Sequence, residues 1–220
     1  VGFGIHAPYG LAADYEDDFA GRFFADKTEL TAIAFTPSIA INNGQGLSMG
    51  LGLNIIYAEG RLSRNQDLSG AIYRATLTQT NDPQLATQAA LGAPEPYADV
   101  EGDDIGVTFR VGFLYELSER TQFGLTAQTG TELNLKGDME VTGLPGAPFT
   151  PVTSATEKVE VPLAIPESIS FGARHQLTDD VTLLAGATYA RWSRFEELDI
   201  VSREGSSGNV SQILGALGGG

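Results

Sequence analysis

Leu47-Ser48-Met49-Gly50-Leu51-Gly52-Leu53-Asn54-Ile55-Ile56-Tyr57 is the stretch that decides the fold. Its odd positions are large and apolar, while its even positions begin Ser48, Gly50, Gly52 and Asn54. A period of two sets these residues on opposite faces of a strand. Ile105 to Tyr115 repeats the rhythm, with Ile105, Val107, Phe109, Val111, Phe113 and Tyr115 alternating with Gly106, Thr108, Arg110 and Gly112. A soluble sandwich shows water a face rich in Lys and Glu, so a polar face of glycine and small hydroxyls needs another cause. A membrane barrel supplies one: apolar residues toward lipid, small polar ones toward a crowded lumen.

Composition narrows the alternatives. The chain has 220 residues, 42% of them hydrophobic, and a formal net charge of -15. That charge excludes nucleic acid as a partner, because a phosphate-binding face needs clustered Lys and Arg. Without cysteine there is neither a disulfide framework nor a thiolate metal site. No run reaches the roughly 18 to 20 apolar residues of a membrane helix, so a membrane crossing must use strands. The mean hydropathy of -0.05 agrees with this, since alternation leaves each barrel strand near neutral on average.

The pattern predicts seven strand-like stretches: Val1 to Ile5, Leu30 to Ile41, Leu47 to Arg61, Ile105 to Leu117, Thr121 to Lys136, Lys158 to His175 and Val181 to Ile200. Short turns at Asn42 to Gly46, Ser118 to Arg120 and Gln176 to Asp180 alternate with long loops at 6–29, 62–104, 137–157 and beyond Ile200. Short turns at one end and long loops at the other characterise an outer-membrane barrel. Thr121 to Lys136 alternates for sixteen positions, with Phe123, Leu125, Ala127, Leu133 and Leu135 expected on one face. Spanning strands need about 9 to 11 residues, whereas ordinary strands average about 5 or 6. Tyr57, Tyr115, Tyr189, Trp192 and Phe195 fall near strand ends, as an aromatic girdle would. In the loop at 62–104, Asp82-Pro83 followed by Gly92 marks a capped helix, and Leu68, Ile72 and Ala75 form an apolar stripe before it.

Catalytic motifs lack their context. Gly46-Leu47-Ser48-Met49-Gly50 spells the nucleophile-elbow pattern, yet that elbow joins a strand to a helix and Ser48 opens a strand after a hairpin turn. His6 and His175 are the two available bases, and spacing gives neither a partner carboxylate. The acidic run Asp14, Glu16, Asp17, Asp18 lacks the calcium-loop pattern and reads as a solvated loop or a loose divalent-ion bridge to lipopolysaccharide. The reading is therefore no enzyme, no cofactor and no metal. A soluble β-sandwich adhesion module and an outer-membrane lipase are the competing classes.

An ordered series of segments resembles the outer-membrane long-chain fatty acid transporter family, which includes aromatic-hydrocarbon transporters. The segments are Gly2-Phe3-Gly4-Ile5, Pro8-Tyr9-Gly10-Leu11-Ala12, Asp26 to Thr31, Leu51-Gly52-Leu53-Asn54 with Tyr57-Ala58-Glu59, Gly102-Asp103-Asp104, Leu114 to Ser118, Leu163 to Ser168 and Trp192 to Leu198. The resemblance implies an all-β, antiparallel transmembrane barrel of fourteen strands, plugged by a small hatch. It would move long-chain fatty acids or other hydrophobic molecules passively across the outer membrane, as a monomer.

Residues 1–200 would be about half of that barrel and 201–220 a flexible Gly/Ser-rich extracellular loop. With Val1 first and three glycines last, the chain reads as an internal piece of a longer protein that would not fold alone. By the same resemblance, Gly2, Phe3 and Gly4 would form an inward kink that opens a lateral gate. The loops at 62–104 and 137–157 would make an outer landing groove. Its apolar contacts would be Leu68, Ile72, Leu77, Leu85 and Leu91 from the first, with Leu144 and Phe149 from the second. Some members place an arginine after the Tyr-Ala pair to meet a carboxylate. Here Glu59 stands in that position, and Arg61 comes two residues later as the candidate contact.

Overall fold

The computed structural model describes residues 1–16, 19–147, 150, 152–194, 199–205, 209–210 and 212–213. The elements are β1 (Gly2–Asp14), β2 (Lys27–Asn42), β3 (Leu47–Asn65), α1 (Ser69–Thr80), α2 (Pro83–Leu91), β4 (Tyr97–Ser118), β5 (Thr121–Gln128), β6 (Thr131–Thr142), β7 (Ser154–Ile165), β8 (Ser168–Gln176), β9 (Thr182–Ala190) and β10 (Val201–Ser202). All pairings are antiparallel, and the main sheet runs β1-β2-β3-β4-β5-β8-β9. None of the described helices is long and apolar enough to cross a membrane.

The alternation read from sequence is the alternation of faces. One cross-strand row joins Ile39, Leu51, Val111, Ala127, Ile169 and Tyr189, and the next joins Ser38, Gly52, Arg110, Gln128 and Ser168. The apolar face is turned outward: Phe109 is 63% exposed, whereas Ile56 on the inner face is 1% exposed. A contiguous apolar surface of this extent is what lipid covers. The turns use local chemistry. Asn43 Oδ1 accepts from the backbone N–H groups of Gln45 and Leu47, and Gly46 at φ +93° takes a left-handed conformation open to glycine. Arg120 reaches Asp179 at 3.0 Å and so ties two neighbouring short turns together.

Several expected strands change length. The first extends to Asp14, the fourth begins at Tyr97, and the last ends at Ala190. Two long strands are each broken in two. Thr121 to Lys136 parts at Thr129-Gly130, and Lys158 to His175 parts at Pro166-Glu167, where proline supplies no N–H for a ladder bond.

The break at Thr129-Gly130 reverses the facing of β6. Below it Arg110 pairs with Gln128, and above it Gly102 pairs with Gly137, so the even parity of β4 meets even residues in β5 but odd residues in β6. A one-residue offset turns every side chain to the other face. Leu133 and Leu135, expected beside Phe123 and Leu125, are instead buried inside with Ala32, Ala34, Ile56, Ala58, Val100, Val159, Val161 and Ile165. The β6–β7 hairpin thus covers the inner face of β2 to β4. Glycine permits the close approach, since a Cβ on Gly137 would collide with the Glu101 carbonyl oxygen.

Within 201–220, expected as a flexible loop, Val201 and Ser202 pair with Glu160 and Val159, and Val210 is buried against Ala98, Val141 and Leu144.

Candidate lumenal site

The inner face changes character along its height. Toward the short turns it carries Gly50, Gly112, Gly124 and Gly172, residues without side chains to fill the lumen. Toward the long loops it is filled by the apolar cluster under β6 and β7. Between these levels lies a pocket of about 320 Å³ lined by His6, Pro8, Tyr9, Ala34, Asn54, Ile56, Arg110, Gln128 and Ser168. A larger hollow of about 750 Å³ at a similar level includes outer-parity Leu51, Val111, Ile169 and Tyr189, so part of it belongs to the apolar face.

A hydrogen-bonded chain builds the pocket floor. Thr36 Oγ1 donates to Asn54 Oδ1 at 2.9 Å, and Asn54 Nδ2 donates to Thr108 Oγ1 at 3.0 Å and Gln128 Oε1 at 3.4 Å. Asn54 and Thr108 are almost wholly buried, and this network satisfies their polar groups. Arg110 donates through Nε and Nη2 to the same Gln128 Oε1, at 3.1 and 2.6 Å. Arg110 was legible as the one charge among small residues on the inner parity of Ile105 to Tyr115, but alternation alone did not show what surrounds it.

The pocket opens beside an irregularity in β1. His6 pairs with Ala34 and Tyr9 with Ala32, so Ala7 and Pro8 form a bulge. Gly2, Phe3 and Gly4, expected at the kink, pair in regular register with Ser38, Pro37 and Thr36. The register irregularity falls at Ala7-Pro8, where proline removes a ladder donor.

The described residues of the expected landing groove differ in burial. Asp82 caps α2 through Gln84 N–H and Leu85 N–H, with Pro83 first in the helix and Gly92 after it, as the sequence predicts. Leu68 and Ile72 are buried, packed with Ala71, Ala89, Ala93 and Ile213. Leu77 is half-buried, Leu85 and Leu91 are exposed, and Leu144 lies in a neighbouring cluster that shares Ile213 with Leu68 and Ile72. Phe149, Asp17, Asp18 and Phe195 lie outside the described residues.

Arg61 is on the outward parity. Its Nε and Nη2 reach both Asp99 oxygens at 3.0 and 2.5 Å, which places it away from the lumen with its charge matched. Arg194 bridges Glu167 at 2.9 Å and Glu132 at 3.3 Å, and Arg191 takes the other Glu167 oxygen at 3.2 Å. Ser48 accepts from Asn42 Nδ2 at 2.7 Å between a turn and a strand, without the strand-to-helix elbow that a nucleophile needs. His175 Nδ1 lies 2.9 Å from Thr121 Oγ1.

Known proteins fit this architecture. The chain is 31% identical over 215 residues to a 47 kDa outer membrane protein of Pasteurella multocida, covering 94% of this chain and 48% of that protein. It is 26% identical to the long-chain fatty acid transport protein of Escherichia coli K12, covering 94% and 49%. The chain therefore spans about half the length of the curated relatives it matches. Among solved structures, a Pseudomonas aeruginosa FadL homologue superposes with a TM-score of 0.73 at 24% identity, over 92% of this chain and 48% of that one. The Ralstonia pickettii toluene transporter TbuX superposes at 0.64 with 20% identity, over 90% and 53%. Both support the barrel fold. Residues 1–214 match the family described as outer membrane protein transport protein (OMPP1/FadL/TodX), and this antiparallel β-barrel chain of the outer membrane belongs to that family.

Proposed function

We propose that the chain forms half of the wall of a passive transporter whose substrate is a long-chain fatty acid. The observation that carries the reading is the lumenal pocket, which sets Tyr9, Ala34 and Ile56 beside the hydrogen-bonding groups of Asn54, Arg110 and Gln128. That mixture suits an amphipath with an apolar tail and a polar head. The curated relatives named as long-chain fatty acid transport proteins support it. Each buried CH₂ stabilises the bound tail by about 0.8 kcal/mol, so no energy source is needed for capture. Release requires only that successive sites bind weakly enough to let go.

In this reading Leu85 and Leu91, exposed on α2, contribute the outer landing surface together with the half-buried Leu77 of α1. The bulge at Ala7-Pro8, together with Gly2, Phe3 and Gly4 below it, forms the lateral exit toward lipid. The protein acts as a monomer among outer-membrane lipid and lipopolysaccharide and performs no chemistry on its cargo. A monoaromatic hydrocarbon is the second reading. It is favoured by Glu59, an outward-facing acid at the position where the resemblance would place a carboxylate-binding arginine.

The test is uptake of radiolabelled oleate, with labelled toluene in parallel. It uses cells that lack their own fatty acid transporter and express the gene-encoded protein in the outer membrane. Oleate entry above the empty-vector control is the expected result. Entry of toluene without oleate transfers the reading to hydrocarbons, and entry of neither by an assembled barrel refutes transport of both classes.

A further inference from the structure

We infer that Arg110 is the lumenal residue that receives the carboxylate of an anionic amphipath, an inference that deepens the fatty acid reading and rests on it. Three observations carry it.

The first is the state of the guanidinium. Its protein hydrogen bonds among the described residues go to one acceptor, the neutral amide oxygen of Gln128, through Nε and Nη2. Nη1 makes none, and no carboxylate among the described residues lies within ion-pair distance. Gln128 is itself held by Asn54, so the arginine is oriented without being neutralised. A fixed planar fork of this kind matches the two oxygens of a carboxylate.

The second is the fate of the other candidate cations. Arg61 faces outward and is matched by Asp99. Arg191 and Arg194 are committed to Glu167, with Arg194 also meeting Glu132. Glu167 is the carboxylate that shares the larger hollow with Arg110, and both of its oxygens are already taken. Arg64 and Arg174 share the inner parity but line neither hollow, and of the two arginines that do, Arg110 and Arg191, Arg110 is the one without an ion pair among the described residues, a local positive site in a chain of net charge -15.

The third is placement. Arg110 borders the pocket whose apolar side is Tyr9, Ala34 and Ile56 and whose rim is the β1 bulge. A head held at Arg110 directs its tail toward those side chains, and the ligand is bound at the point where the wall is irregular.

The test compares the protein carrying Arg110, Arg110→Gln and Arg110→Lys, each expressed in the outer membrane and normalised to assembled, heat-modifiable barrel. Uptake is measured at limiting concentration for oleate and for oleyl alcohol, which shares the chain and lacks the charge. Loss of a charge-assisted contact lowers the oleate-to-alcohol ratio about tenfold or more in Arg110→Gln. Arg110→Lys, which keeps the charge but loses the fork, falls between. Binding of oleate and oleyl alcohol to detergent-purified protein gives the same ratio independently of export and assembly yield. A ratio in Arg110→Gln within about twofold of the Arg110 protein, in a barrel that does admit oleate, overturns the assignment and leaves the fatty acid reading standing. Failure of the Arg110 protein itself to bind or admit oleate overturns that reading instead.

Discussion

Placing Arg at Val111 tests the facing of the whole wall. Val111 lies midway along the apolar outer row of β4, which runs from Ile105 to Leu117, and pairs with Leu51 and Ala127 on its two sides. Twelve steps at about 3.4 Å give roughly 40 Å along the strand, and a tilt of about 40° converts that to a rise of roughly 30 Å. The apolar band of such barrels is about 25 Å tall, so Val111 falls near the bilayer midplane. An arginine there costs about 2 to 4 kcal/mol, or roughly 30- to 1000-fold in the assembly equilibrium. The same change at Ile105, at the band's edge, costs about 0 to 1 kcal/mol. Thr126→Arg is the control for facing, because Thr126 is exposed on the inner parity opposite Gly112. The assay is the heat-modifiable fraction in isolated outer membranes. The expected order is near-complete loss for Val111→Arg, a small loss for Ile105→Arg and retention for Thr126→Arg. Normal assembly of Val111→Arg, or equal failure of Thr126→Arg, refutes lipid-facing odd positions.

Two further predictions concern stability. Leu133 is fully buried against the inner face, so Leu133→Ala costs about 2 to 5 kcal/mol in denaturant unfolding, and a change under about 0.5 kcal/mol refutes the inward facing of β6. Glu95 accepts from Arg22 Nε and Nη2 at 2.7 and 2.8 Å, and these bonds, with the Arg22 charge, hold its carboxyl below the usual range. A lowered acid stabilises the folded loop above its ordinary value of about 4.3, and that contribution is lost as pH falls through the lowered value. Hydrogen exchange in residues 19–25 is therefore expected to show equal protection at about pH 7 and 5, corrected for intrinsic rate, and less at about pH 3. Loss already complete at pH 5 contradicts the pairing.

Much of this protein was legible because its strands obey one strict rule. Period-two alternation in Leu47–Tyr57 and Ile105–Tyr115 identified the two faces, Asp82-Pro83 and Gly92 bounded α2, and the short turns marked one end of the barrel. These features are local: each depends on residues within a few positions of one another. The residues of the candidate site were harder to find. Leu68 and Ile72 have the spacing of a helix stripe whether they contact cargo or a second helix, and only the folded chain shows them buried with Ala89 of α2. Arg61 reads as an available cation until Asp99 is seen beside it, thirty-eight positions away in sequence.

The sequence by itself determined an antiparallel barrel wall with an apolar outside, because burial in lipid imposes one pattern on every strand. The tertiary structure decided which stretches leave that pattern. Leu133 and Leu135 continue the odd parity of Phe123 and Leu125 without interruption, yet a one-residue offset against β4 sends them to the opposite face. Register is a relation between strands, and a single strand does not contain it. The same holds for Arg110, whose position inside the wall follows from alternation but whose unmatched charge follows from its one acceptor, Gln128 on β5, itself held by Asn54 on β3.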